Sequence, residues 1–285
     1  MIKIIACDMD GTLLNDQKQL PDNFWPTVAK LREKNIKFVV ASGRQYYNLI
    51  KLMHHNPEDL IFICENGTII FEGTNNVFCS AIEYDKLASP VAAIRRTPGI
   101  YPILCGLNSA YVEDDYAKFV NTASMFYERC QLVPDILEAA KEDKICKIAV
   151  FSEISSAQYC LPALQHFDQE FMVALSGQNW LDLMPKDINK GSAIRFLQQR
   201  YQTNPDGCMA FGDYMNDYEL MTNCAESYAM ANAQDELKKV CKYKLLHYIC
   251  IVFIMYHLIN AIKNFKSKIN EKEFITDYER RMAYV

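Results

Sequence analysis

The amino-acid sequence predicts an α/β protein whose core is a doubly wound parallel sheet, with an α+β unit inserted part-way along the chain. Three observations carry that expectation. Short, mostly apolar runs alternate with stretches of helical spacing from the first residues to about Glu83; the alternation then lapses into mixed segments; and it resumes with "NKGSAIRFLQQRYQ" and "GCMAFGD". Strands separated by helices need crossover connections, and crossovers make parallel sheets.

The elements follow in order. "IKIIAC" is apolar apart from Lys3, as suits a short strand buried on both faces. "DNFWPTVAKLREKN" spaces Phe24, Val28 and Leu31 along one helix face behind Asp22 as a candidate N-cap, and "IKFVVAS" reads as the second buried strand. A helix, "YYNLIKLMHH", and a third strand, "LIFICENG", come next. From about Glu83, "YVEDDYAKFV", "KICKIAVFS" and "FMVALSGQNWLDLMP" mix the two periodicities, which marks the insert. After it, "YELMTNCA" reads as a helix and "SYAMAN" as a short strand.

Composition narrows the function. With 285 residues, half of them hydrophobic, the chain can bury a large core, with or without a smaller second unit. A formal charge of -5 gives no general attraction to nucleic acid or anionic lipid, so a phosphate-bearing ligand must be held by local groups and the partner is expected to be small. Eleven cysteines without a C-x-x-C spacing suggest free thiols, hence a reducing cytoplasm, and neither a disulfide framework nor a zinc site. "MIKIIACDMD" lacks the pattern of a secretory signal, which makes the "NGT" at Asn66 a chance sequon. The oligomeric state stays open.

The chemistry-bearing residues stand where strands end, the edge at which open parallel sheets bind ligands. Asp8 and Asp10 follow the first strand, Ser42 the second, Lys190 opens a helix, and "GDYMND" supplies Asp213 and Asp217. Crowded carboxylates repel one another, so a divalent cation is expected among them, and oxygen-only ligands indicate a hard ion such as Mg²⁺.

"DMDGTLL", "ASGR", "NKG" and "GDYMND", in that order and with a large insert before the lysine, resemble the haloacid dehalogenase-like phosphatases, in particular the Cof-type subclass. "ENGT" and "LDLMPKDINKG" are similar to that subclass as well, and the resemblance runs from Met1 to about Tyr243. It implies a Rossmann-like core over residues 1–82 and 187–285, an α+β cap domain over 83–186, and Mg²⁺-dependent phosphoryl transfer through an aspartyl phosphate. In the family's pattern Asp8 is the nucleophile and a metal ligand, Asp10 gives its backbone carbonyl to the metal, and Asp213 completes the protein's share. Ser42, Gly43 and Lys190 hold the phosphoryl oxygens, Asp217 binds a metal water or orients Lys190, and Asn216 faces the substrate. The Asp10 carboxyl protonates the leaving oxygen and later takes a proton from the attacking water. Positive charge at the reacting oxygens is what a carboxylate needs to approach a phosphate dianion.

Plainer readings stand beside these. Asp-x-Asp-Gly is a common turn, Ser42 suits a helix N-cap, and most lysines are solvated. Asn66 and Gly67 suit a turn beneath the site rather than a substrate contact. Arg44 serves a substrate anion or a neighbouring acid equally well, and His54 and His55 read as surface residues of their helix. The expected activity is therefore a cytoplasmic phosphatase acting on a small phosphorylated metabolite such as a sugar phosphate. The alternatives are a phosphomutase on the same core and a non-catalytic protein that binds Mg²⁺ and phosphate ligands. After Tyr243 the chain departs from the subclass: Leu245 to Ile259 is apolar yet shorter than the roughly 20 residues of a membrane span, so a membrane helix is not expected.

Overall fold

The computed structural model describes residues 1–53 and 56–245; the expectations for His54, His55 and the apolar run beyond Leu245 lie outside the described residues. The first half of the chain forms β1 (Ile4–Asp8), α1 (Phe24–Glu33), β2 (Lys37–Ala41), α2 (Tyr46–Leu52), β3 (Leu60–Cys64), β4 (Ile69–Glu72) and β5 (Asn75–Cys79). There follow α3 (Ala88–Arg95), β6 (Ile100–Gly106), β7 (Ala110–Val112), α4 (Ala117–Phe126), β8 (Cys130–Leu132), α5 (Ile136–Ala139), β9 (Ile145–Ser152), α6 (Leu161–Leu164), β10 (Phe171–Gly177) and β11 (Trp180–Pro185). The chain continues through α7 (Lys190–Arg200), β12 (Cys208–Gly212), α8 (Tyr218–Thr222), β13 (Glu226–Ala229), α9 (Asp235–Val240) and β14 (Tyr243–Lys244).

Two sheets result. The first has the order β14-β13-β12-β1-β2-β3-β4-β5, and the second β10-β11-β9-β6-β7-β8. From β14 to β3 every neighbour is parallel, whereas β4 and β5 add an antiparallel hairpin that the sequence reading did not assign. Its strands lie in a stretch without helical spacing, and the turn at Gly73 takes a positive φ of 58°. Strand β1 sits between β12 and β2 and is buried along its whole length, which explains its unbroken apolar run. The sheet order reverses beside it, since β2 and β3 lie on one side and β12 to β14 on the other. That switch point opens a crevice at the carboxyl ends of the strands.

Register brings the chemistry to one edge. Asp8 pairs with Ala41, Ala41 with Ile63, and Cys7 with Phe211, so the residues after β1, β2, β3 and β12 all leave the sheet at the same level. Two local expectations differ. Helix α1 has Asn23 rather than Asp22 at its N-cap, with no side-chain cap bond, because the helix starts one residue later. Ser42 caps no helix: α2 begins at Tyr46 behind Gln45, and the Ser42 Oγ instead accepts the Arg44 amide at 3.2 Å within its own loop.

The second sheet is covered on one face by α3, α5 and α6 through Val91, Ile94, Ile136 and Leu164, which pack on Ile148, Val150, Leu181 and Leu183. Helix α4 lies on the opposite face with Phe119 and Ala123 against Ala149 and Phe151. Alternation along each strand thus serves two different layers.

Gly67 links the first sheet to α7. With φ at 108°, it lets the backbone of the β3–β4 turn come so near that an added Cβ would meet the Asn189 carbonyl oxygen at 2.3 Å. Gly67→Ala is expected to lower stability by about 1–3 kcal/mol, from backbone strain and displacement of the start of α7. Urea denaturation with an unchanged midpoint would show that the start of α7 can move aside at no cost.

Candidate active site

Lys190 is the first residue of α7, whose N-terminus is closed by a capping box: the Asn189 Oδ1 accepts the Ser192 amide, and the Asn189 amide donates to the Ser192 Oγ, both at 2.9 Å. This fixes the direction in which Lys190 leaves the helix. The Lys190 side chain has no exposure, and its Nζ donates to the Asp8 Oδ1 at 2.5 Å and the Asp217 Oδ1 at 2.6 Å. Asp217 is equally buried; its Oδ2 accepts the amides of Asp213 and Tyr214 at 3.1 and 3.3 Å.

Asp213 follows β12 directly and faces Asp8 across the crevice. Thr12 donates to its Oδ1 at 3.0 Å and Asn232 to its Oδ2 at 2.9 Å, the latter also donating to the Gly11 carbonyl. Gly11 has φ at 81°, and a Cβ there would meet the Asp213 Oδ2 at 2.3 Å, so the loop after Asp8 can lie against Asp213 only without a side chain. One oxygen each of Asp8, Asp213 and Asp217 lies within 4.8 Å of the others.

The electrostatics follow from burial. Desolvation pushes the Asp8 carboxyl well above its ordinary value, opposed by Lys190 and reinforced by Asp217 and Asp213. Asp213 is pushed up to about 6, first by burial and then by Asp217. Burial alone would push the Lys190 ammonium down, yet Asp217 and Asp8 hold it above its ordinary value. Three carboxylates against one ammonium leave an excess of negative charge. An oxygen-only donor set of this kind suits a hard divalent cation, so the residues fit Mg²⁺.

Asp10 behaves differently. Its carboxylate lies outside the three-acid cluster: Arg44 binds both oxygens, at 2.6 and 2.7 Å, and Lys18 adds a contact at 2.8 Å. Burial would raise its carboxyl, but the hydrogen bonds from Arg44 and Lys18 outweigh it and hold the group below its ordinary value. Of the two roles open to Arg44, the structure has it on a neighbouring acid. Asn216 donates to the Asn66 Oδ1 at 3.1 Å.

A cavity of about 360 Å³ joins these groups; Asp8, Asp10, Ser42, Gly43, Arg44, Asp213 and Asn216 all line it. Every sequence-assigned residue except the wholly buried Lys190 and Asp217, which stand directly behind Asp8, therefore reaches the cavity wall. Asn66 is more than a turn residue: it takes a left-handed φ of 57° and also lines the cavity. Lys147, Trp180 and Asp182 of the second sheet line it too and were not singled out beforehand. A lysine inside "ICKIAVF" and an aspartate inside "WLDLMP" were the available signals.

Residues 5–248 match the family described as haloacid dehalogenase-like hydrolase. The chain belongs to the haloacid dehalogenase-like hydrolases. Among relatives of this hydrolase, the 5-amino-6-(5-phospho-D-ribitylamino)uracil phosphatase YbjI of Escherichia coli is 31% identical over 246 residues, spanning 85% of this chain and 90% of that one. The HMP-PP phosphatase of Yersinia enterocolitica is 26% identical over 248 residues, spanning 84% and 87%. A solved structure from Streptococcus mutans superposes with a TM-score of 0.81 at 26% identity, covering 91% of this chain and all of the other. The haloacid dehalogenase-like chain is thus a hydrolase of phosphate esters. Among the described residues, no helix is long and apolar enough to cross a membrane.

The Arg44–Asp10 pair makes a titration prediction. A depressed carboxyl contributes stability above its unfolded value, and that contribution is lost as pH falls through the folded value. Arg44→Gln removes a main lowering contact, so the Asp10 carboxyl should titrate at higher pH in an NMR titration. An unmoved Asp10 titration would mean that Lys18 alone sets its charge.

Proposed function

We propose that this chain hydrolyses a small phosphorylated metabolite, a sugar phosphate or a similar ester, in a Mg²⁺-dependent reaction that passes through an aspartyl phosphate on Asp8. The observation that carries the reading is the buried Asp8–Lys190–Asp217 contact at the crevice edge, with Asp213 facing it. The relatives named as phosphatases of phosphorylated small molecules support it.

Asp8, Asp213 and the backbone carbonyl of Asp10 would hold the Mg²⁺, with Asp217 behind them; when bound, the ion offsets the negative charge on the phosphoryl oxygens. Asp8 attacks the phosphorus while Lys190, beside its Oδ1, neutralises charge that would otherwise repel the dianion. Ser42 and the Gly43 amide orient the phosphoryl group, and Asn216 meets the rest of the substrate. Asp10 protonates the leaving oxygen and then deprotonates the water that cleaves the acyl phosphate. For that, Asp10 must part from Arg44, and an incoming phosphate is a natural competitor for a guanidinium. Residues 83–186 serve as the cap that covers the site and 1–82 with 187–285 as the core, in a cytoplasmic enzyme.

The two aspartates of "DMD" should fail differently. With para-nitrophenyl phosphate, whose leaving group needs little protonation, Asp8→Asn should form no phosphoenzyme. Asp10→Asn should form it and hydrolyse it about 10²–10⁴ times more slowly. Mass spectrometry after rapid quench should find the added phosphoryl group on the Asp8 peptide; a label on Ser42 would reject the mechanism.

Metal binding should depend on pH through Asp213. Its carboxyl, pushed up to about 6, must lose a proton to serve as a ligand. Mg²⁺ affinity measured by calorimetry should fall by at least about tenfold per pH unit below that value, since Asp8, also raised by burial, must lose its proton too. An affinity that stays flat through pH 5 would remove Asp213 from the ligand set.

A further inference from the structure

The chain leaves the first sheet for the second after Cys79, the last residue of the edge strand β5. The Ser80 amide donates to the Thr68 carbonyl oxygen beside β4 at 2.8 Å, and the Ile82 amide donates to the Ile145 carbonyl oxygen of β9 at 2.7 Å. Ser80 is thus tied to one sheet and Ile82 to the other. The exposed Ala81 between them is the pivot of this connection.

An irregularity in β9 aims Cys146 at this pivot. In the β6–β9 ladder Cys105 pairs with Lys147 and Gly106 with Ile145, so Cys146 is the extra residue of a bulge. Strict alternation would put it with Ile148 and Val150 beneath α3, α5 and α6; instead it packs into the core of the first sheet, against which Cys79 also lies. There the Cys79 and Cys146 thiols are in hydrogen-bonding contact. Cys146 is fully buried, whereas Cys79 is partly exposed at the sheet edge. The contact with Cys146 holds the Cys79 thiol below its ordinary value, with burial opposing it and Lys144 assisting, so Cys79 is the sulfur that ionises first and the one that solutes reach. Cys208 and Cys224 meet in the same way, but both of them are buried.

We propose that Cys79 and Cys146 form a reversible disulfide on exposure to a peroxide, and that this bond stiffens the connection between the two sheets and slows the enzyme. The Cys79 thiolate attacks a peroxide oxygen, the O–O bond breaks, and the displaced hydroxide takes the proton that Cys79 gave up, leaving a sulfenic acid and water. The Cys146 sulfur then attacks the Cys79 sulfur; the S–S bond forms, the S–O bond breaks, and the second hydroxide leaves as water with the Cys146 proton. Two thiols lose two electrons, and one peroxide becomes two waters. Exchange with a small thiol reverses the bond, as a disulfide in a reducing compartment requires. Because the bond spans the Ala81 pivot, it restrains the second sheet over the cavity, where substrate must enter and product leave. That effect on turnover rests on the phosphatase reading; the cross-link itself does not.

Hydrogen peroxide added to the full chain tests it. After free thiols are blocked and the protein is digested without reductant, mass spectrometry should find the Cys79 and Cys146 peptides joined and two hydrogens lighter than their sum, with Cys208 and Cys224 still reduced; dithiothreitol should separate the joined pair. Turnover of para-nitrophenyl phosphate should fall severalfold as the cross-link accumulates and recover with dithiothreitol, whereas Cys79→Ser should keep its rate under the same dose. Absence of the joined peptides, or a yield no greater than that of a Cys208–Cys224 cross-link, overturns the proposal whether or not the variant folds. A complete cross-link with unchanged turnover, or an equal loss of turnover in Cys79→Ser, overturns the control of activity. If the reduced protein leaves para-nitrophenyl phosphate untouched, the phosphatase reading falls by itself and hydrogen exchange decides the rest. Slower exchange of the Ile82 amide in the cross-linked form then upholds the stiffened pivot, and equal exchange overturns it.

Discussion

A single ammonium held without water between two carboxylates sets the terms for the rest of the site. An isolated buried ion costs several kcal/mol, and its partners return that only when the geometry is good. Lys190 meets Asp8 and Asp217 at 2.5 and 2.6 Å, so each of the three makes the burial of the others tolerable. The supporting structure is arranged around this contact. The capping box at Asn189 aims Lys190, Gly67 lets the β3–β4 turn touch the Asn189 backbone, and two amides of the β12 loop fix the far oxygen of Asp217. Removing the ammonium would leave two buried carboxylates facing one another with nothing between them.

The same rule recurs at the second buried lysine with a different outcome. Lys147 also stands between two carboxylates, but Glu65 lies 2.6 Å away and Asp182 3.6 Å. Burial would lower Lys147, yet Asp182 and Glu65 hold it well above its ordinary value, while burial pushes the Glu65 carboxyl up against the opposing pull of Lys147. The first triad is closed on itself, with Lys190 between Asp8 and Asp217. The second is open on one side, and the open side faces the cavity. It also joins the two sheets, because Glu65 follows β3 whereas Lys147 and Asp182 belong to β9 and β11.

Much of the fold was legible because a parallel strand buried on both faces must be apolar at every position, which "IIACD", "KFVVA" and "CMAFG" nearly are. The acids at strand ends were legible because nothing apolar explains them, and Lys190 by its place after the insert. Three features were hidden for physical reasons. The β4–β5 hairpin depends on pairing with β3, a contact distant from any local periodicity. Ser42 resembles a helix cap in composition, but the helix starts four residues later, at Tyr46. Lys147 and Asp182 lie inside apolar runs, and parity along a strand says which residues share a face without saying which face meets the site. Only the packing of α3, α5 and α6 on the opposite side decides that.

The contrast between Asp8 and Asp10 follows from the same accounting of charge. The two carboxylates are two residues apart, yet they point into different electrostatic surroundings. Asp8 ends a buried strand among other acids, where its anionic form is disfavoured until positive charge beyond Lys190 arrives. Asp10 lies past the strand, partly exposed, and two cations from outside the cluster stabilise its anion. On the proposed roles, two residues of chain thus separate a carboxylate that would need a further cation in order to react from one that would have to leave a cation in order to carry a proton. In the proposed mechanism a phosphate dianion entering the cavity would promote both changes, since its charge would favour metal at Asp8 and compete with Asp10 for Arg44. On that reading the ligand's own charge would be the condition that prepares both groups. A neutral molecule of the same shape would leave Asp10 clamped to Arg44 and Asp8 short of positive charge.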